Sequence, residues 1–173
     1  AHASSPASTS MFGLATWHDY HYYYGHVMWD IETFTVPPLL WSQPDAAYAL
    51  LDFRSRTLAA AKSHARMGGH TGTQYPWESD PLHGEEVAPG IGHASWHEDH
   101  VTPDVALGFA AYAHATGNDQ FARYELPPVL FGVAEWITSR VSRTPSGYSF
   151  KDTMGIAERK HPADDDASTY GTG

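Results

Sequence analysis

The sequence predicts an all-α fold. Apolar residues recur at helical spacing over three separate stretches, and scarcely any segment alternates apolar with polar residues over the length of a strand. Polar and aromatic residues concentrate on the connections between those stretches, where loops on a rigid helical scaffold commonly carry function.

Taken in order, residues 1–19 read as an extended lead-in, small and polar over Ala1 to Ser10. Trp17 to Asp30 is rich in rings and histidines without a clean period, which fits either a packed loop or a cleft wall. Glu32 to Trp41 is apolar but holds Pro37-Pro38, so a short or broken helix is expected. Pro44 to Ala65 is the clearest helix: Pro44 suits a first turn, Ala47, Leu50, Leu51, Leu58, Ala61 and Ala65 share a face, and Gly68-Gly69 ends it. Residues 70–100 form a long loop with many Gly, Pro, Trp, His and acidic residues, and such loops are usually functional when their rings and carboxylates argue against disorder. Thr102 is the expected N-cap of the next helix, with Pro103 in its first turn and Gly117 at its end. A further helix is expected from Pro128 to Val141 after a break at Pro127-Pro128, then a turn at Pro145-Ser146-Gly147 and a short strand over Tyr148 to Phe150. From Gly155 the chain reads as loop.

The length of 173 residues is that of one domain, and a 42% hydrophobic content suffices for a core. The net charge is −10, and the 10 Lys and Arg do not cluster, so neither nucleic acid nor an anionic membrane is an expected partner. No apolar run has the length of a membrane span. Cysteine is absent, which removes disulfides and thiolate metal sites. No signal peptide is visible and the chain lacks an initiator Met; the compartment stays open, with the cytoplasm favoured.

His93, His97 and His100, with Glu98 and Asp99 between them, form the densest ionisable cluster. Gly92, Ala94 and Ser95 give it no helical apolar face, and the His-Glu-x-x-His order of zinc helices is missing, so no metal is expected. Neither a Gly-x-Ser-x-Gly elbow nor a phosphate-cradling Gly-rich loop occurs. More informative are carboxylates beside rings: Trp29-Asp30, Tyr75-Pro76-Trp77-Glu78-Ser79, and Glu158 within Met154-Gly155-Ile156-Ala157-Glu158-Arg159. Sugar sites combine ring faces with carboxylates that accept hydroxyl hydrogens, and glycosidic cleavage needs a protonated carboxylic acid at the leaving oxygen.

In this order the segments resemble glycoside hydrolase family 65. Gly25-His26-Val27-Met28-Trp29-Asp30-Ile31-Glu32-Thr33-Phe34 is similar to the family's Gly-His-(Val/Ile)-Phe-Trp-Asp-Thr-Glu-(Ile/Leu)-Phe segment. Pro44 to Arg54 with Arg56-Thr57-Leu58 is similar to its Pro-Glu-Ala-Ala…Tyr-Arg and Arg-x-x-Thr-Leu pattern, and Gly72 to Ser79 to its Gly-Ala-x-Tyr-Pro-Trp-Glu-Ser segment. His100-Val101-Thr102 with Asp104 resembles the opening of the following helix.

The resemblance implies part of an (α/α)6 barrel, with residues 1–173 as the N-terminal part of a single catalytic domain. It implies inverting cleavage of an α-linked glucosyl disaccharide or short glucoside, by hydrolysis or by attack of inorganic phosphate as co-substrate, and no cofactor. Glu158 is the implied general acid, although Ala157 stands where many members have Asp. Trp29 and Asp30 would hold the non-reducing glucose; His26, Tyr75, Trp77, Glu78 and His100 would line the same pocket. About four or five helices cannot close such a barrel, so a further segment, a second chain or a homo-oligomer is the expected partner, and it would bring the opposing base. Hydrolysis is the favoured reaction. The other readings are phosphorolysis and, from a different class, a non-catalytic sugar-binding fragment or interaction module.

Overall fold

The computed structural model describes residues 26–88 and 94–156. The expectations for residues 1–19, His93 and Glu158 lie outside these. The described chain is mostly helical. β1 (Val27–Met28) leads through a π-helical turn (Ile31–Thr35) into α1 (Val36–Ser42). There follow α2 (Pro44–Arg56), α3 (Leu58–Met67), β2 (Glu78–Ser79), α4 (Ala94–His97) and α5 (Val101–Thr116). The remaining elements are α6 (Asp119–Tyr124), α7 (Leu126–Arg140), β3 (Val141–Thr144) and β4 (Gly147–Phe150).

The broken helix expected near Pro37-Pro38 takes a definite form. Neither proline brings an N–H, so the carbonyls of Thr33 and Phe34 lose their ordinary donors four residues on. The preceding turn widens, and the Val36 N–H reaches back five residues to the Ile31 carbonyl.

Three expectations need correction. The stretch from Pro44 to Ala65 is two helices, because the backbone leaves helical geometry at Thr57 (φ −98, ψ 12). The Thr57 hydroxyl bonds the Phe53 carbonyl at 2.8 Å. Gly84, at φ +74, crosses so close that a Cβ there would stand 2.3 Å from the Thr57 Cβ. Thr102 does not cap α5. His100 already has helical dihedrals, the helix begins at Val101, and the Thr102 hydroxyl accepts the Tyr75 N–H at 2.9 Å. Pro127-Pro128 is not a break before α7 but part of its first turn, where a missing N–H costs no helical bond. The pattern also overlooked α6, which Asn118 starts by accepting the Phe121 N–H at 3.0 Å. The strand expected at Tyr148 to Phe150 belongs to β4, paired antiparallel with β3.

α5 is the central element and packs against α1, α2, α6, α7 and the π-helical turn. Val105 and Phe109 of α5, Leu51 and Phe53 of α2, Phe121 of α6, and Val129 and Val133 of α7 form the buried core. The loop after α3 beds directly on α7. The Thr73 N–H donates to the Gly132 carbonyl at 2.8 Å. A Cβ on Gly72 (φ +75) would lie 2.4 Å from the Gly132 oxygen, and one on Gly132 would lie 2.2 Å from the Thr73 hydroxyl.

Candidate active site

β1 and β2 pair antiparallel with Val27 opposite Ser79 and Met28 opposite Glu78. That register brings the sequence ahead of Trp29 beside Trp77-Glu78, and His26 Nδ1 lies 2.8 Å from Glu78 Oε1. The loop beyond β2 is folded by its own carboxylates. Asp80 accepts the N–H groups of Leu82, His83 and Glu85 at 2.8–2.9 Å, and these donors hold its carboxyl below the usual range despite partial burial. The returning chain presents Glu86, which accepts the Trp77 N–H at 2.8 Å and the Ala88 N–H at 3.0 Å. Burial pushes the Glu86 carboxyl up to about 7, the Glu78 charge adding to it and the backbone donors opposing it.

The second half of the site opens α5. His100 is fully buried, with Nδ1 2.8 Å from Asp104 Oδ2 and Nε2 3.1 Å from Glu98 Oε2. Burial works against its charge, but hydrogen bonds from the ring to Asp104 and Glu98 outweigh it and raise the group to about 9. At neutral pH the ring is therefore a cation held between two carboxylates. The Trp29 ring meets it edge-on, centroids 4.8 Å apart. Asp30 is raised by burial, partly offset by its own backbone and by the charge of His100.

Beneath both halves lies a buried ion pair. Arg54 Nε donates to Glu32 Oε1 at 2.7 Å and Nη2 to Oε2 at 3.2 Å, a bidentate arrangement, while Nη1 reaches the Ser79 hydroxyl at 3.1 Å. Glu32 comes from the π-helical turn, Arg54 from α2 and Ser79 from β2, so one guanidinium joins three elements of the site floor.

The residues expected to share a pocket are thus partly gathered. His26 pairs with Glu78, and Trp29 and Asp30 neighbour His100. Trp77 is half-buried, its backbone fixed by Glu86. Tyr75 is 2% exposed and lies in the core, its ring 5.6 Å from the Arg54 guanidinium, so it braces the floor. The sequence reading missed Glu98 and Asp104 as partners of His100, Glu86 as the clamp on Trp77, and the Glu32–Arg54 pair. Only the first had a local signal: His100 and Asp104 are four apart at a helix start, one turn above one another. Glu98, His100 and Asp104 form a hydrogen-bonded chain, and among the described residues no group of His, Asp and Glu could hold a metal ion. No described helix is long and apolar enough to cross a membrane.

Known proteins resemble this chain over most of its length. The family described as "Glycosyl hydrolase family 65 central catalytic domain" matches residues 19–170. A kojibiose hydrolase of Flavobacterium johnsoniae is 33% identical over 97% of this chain and 24% of its own length. A kojibiose phosphorylase of Halothermothrix orenii is 32% identical over 85% of the chain and 20% of its own length. A solved structure from the human microbiome, provisionally assigned as a kojibiose phosphorylase, superposes with a TM-score of 0.76 at 26% identity, covering 83% of this chain and 19% of that one. The chain therefore spans only a quarter or less of the length of these relatives. It belongs to glycosyl hydrolase family 65 and folds as part of that family's (α/α)6 barrel.

Proposed function

We propose that the protein containing this chain cleaves the α-glucosidic bond of a disaccharide or short glucoside with inversion, using Glu158 as general acid. The observation that best supports this is the convergence of separate motif segments: His26 on Glu78 at 2.8 Å, and Trp29 edge-on to His100 at 4.8 Å. Trp29 and Asp30 hold the non-reducing glucose, with His26, Trp77 and Glu78 around it, while the buried His100 and Tyr75 support from behind rather than line the pocket. Glu158 gives its proton to the glycosidic oxygen as the bond from the anomeric carbon breaks. A water, deprotonated by an opposing carboxylate about 6.5–9.5 Å from the acid, attacks that carbon from the other face. The reaction calls for no cofactor.

Hydrolysis is favoured over phosphorolysis because the similarity to the kojibiose hydrolase runs over 97% of the chain against 85% for the phosphorylase. Phosphorolysis is the second reading, supported by the phosphorylase relatives; phosphate would then replace water as the attacking group. Replacing Glu158 by Gln in the full-length protein removes most turnover of kojibiose, and retained wild-type rates would end the assignment. Proton NMR at early times should show the β-anomer of glucose, or of glucose 1-phosphate if release depends on phosphate.

We also propose that residues 1–173 are the N-terminal part of the barrel domain, completed by a further segment, a second chain or a copy. Trp41 is 85% exposed, Phe131 74%, Leu107 62% and Phe34 59%, large apolar side chains that further helices of a barrel would cover. Gel filtration of the isolated chain should show association, and a compact monomer at micromolar concentration would count against it.

A further inference from the structure

We infer that Arg140 is a positioning residue for the proton donor: together with Asp99 it ties the segment that leads from β4 to Glu158 onto the segment that carries His100. The inference rests on the reading of Glu158 as the acid. Arg140 is the last residue of α7. Its Nε donates to Asp99 Oδ1 at 3.1 Å, and its Nη2 stands 2.8 Å from Asp99 Oδ2. The same Nη2 donates to the Lys151 carbonyl at 2.5 Å and reaches the Asp152 carbonyl at 3.5 Å. One planar group thus holds a carboxylate 3% exposed, adjacent to His100, and the backbone beyond β4.

The stitching continues along both segments. The Met154 N–H donates to the His97 carbonyl at 2.7 Å, and the Thr153 hydroxyl reaches that carbonyl at 3.3 Å. His97 Nδ1 bonds the Asp152 carbonyl. Asp152 itself has φ +48, unlike every other described non-glycine residue. Such a conformation persists where the surroundings over-determine it, and here Arg140 and His97 both grip its carbonyl. Thr153 and Met154 beyond it are buried. Glu158 follows Met154 by four residues, a length of chain that spans at most roughly 14 Å. The place where the clamp ends therefore bounds where the acid can stand. A misplacement of about 1 Å in a reacting group can cost on the order of a hundredfold in rate.

The test uses the full-length enzyme and two substrates: kojibiose, whose leaving sugar needs a proton, and α-glucosyl fluoride, whose fluoride departs without one. Arg140→Lys keeps a charge but loses the planar fork. Asp99→Asn keeps the shape and weakens the fork from the other side, and serves if the first variant fails to fold. Glu158→Gln is the reference. The expected result is a fall in kcat on kojibiose of about 10–100-fold, KM little changed, the rate on the fluoride nearly kept, and the same selectivity, stronger, in Glu158→Gln. Equal losses on both substrates in Arg140→Lys and Asp99→Asn, with Glu158→Gln still selective, would overturn the positioning role and leave Arg140 a structural residue. A Glu158→Gln variant that does not discriminate between the substrates removes the acid reading itself, and this inference falls with it.

Discussion

Two histidines of this chain are buried against a tryptophan ring, and their proton affinities move in opposite directions. His64, near the end of α3, is 1% exposed and stacks flat on Trp96 with centroids 4.6 Å apart. Burial pushes it down to about 4, a backbone contact at Ser95 offsetting little of this. His100, at the start of α5, is 0% exposed and meets Trp29 edge-on, yet it is raised to about 9. The rings are equally dry. The difference is that Glu98 and Asp104 flank one imidazole, while among the described residues no carboxylate bonds the other. Desolvation alone makes a neutral, structural histidine; desolvation with two paired carboxylates makes a fixed cation. In this molecule the cation is the one that neighbours Trp29 and Asp30.

The comparison breaks most severely at Asp104. Asp104→Asn leaves a buried charge short of a carboxylate, so a loss of about 3–5 kcal/mol is expected in denaturant unfolding at pH 7. The His100 titration, followed by NMR, should fall towards or below its ordinary range.

Next in size is the pH dependence of stability. The folded His100 binds its proton more tightly than the unfolded chain, so its contribution is fully present below pH 6.5 and fades as pH rises through about 9. That contribution is on the order of 3 kcal/mol. His100→Gln should flatten the urea-midpoint profile over this window.

His64 works with the opposite sign. Its folded proton affinity is depressed, so stability is lost as pH falls from 6.5 towards about 4. His64→Phe, of similar size, should recover about 2–3 kcal/mol at pH 4 and change stability at pH 7 by less than about 1 kcal/mol.

The smallest effect on stability is expected at His26, whose side chain is 22% exposed and whose pair with Glu78 is in partial reach of water. His26→Gln should cost under about 1 kcal/mol, while KM for the disaccharide rises if the pair orients Glu78 towards sugar hydroxyls.

The same contrast explains what could be read from the sequence. Helices α5 and α7 were legible because their apolar spacing is local, and Gly117 closes α5 in the left-handed geometry its identity suggested (φ +59). The split of α2 from α3 was not legible, because it depends on Gly84 arriving from a loop 27 residues away to press on Thr57. Thr102 looked like a cap for a sound reason, but its hydroxyl was taken by Tyr75, again from a distant loop. Within the site, Trp29-Asp30, Trp77-Glu78 and His100 stood out by residue type. Glu86 and the Glu32–Arg54 pair did not, since a carboxylate's burial and its partners are set by packing that no local pattern records.

The close seating of the Thr73 segment on α7 carries a practical consequence for anyone wishing to redesign substrate preference. Neither glycine tolerates even one added methyl: Gly72→Ala would press on the main chain of α7 at 2.4 Å, and Gly132→Ala on the Thr73 hydroxyl at 2.2 Å. Sequence diversity is better introduced at the exposed turn at Leu82, whose backbone is held by Asp80 and whose side chain is 70% exposed.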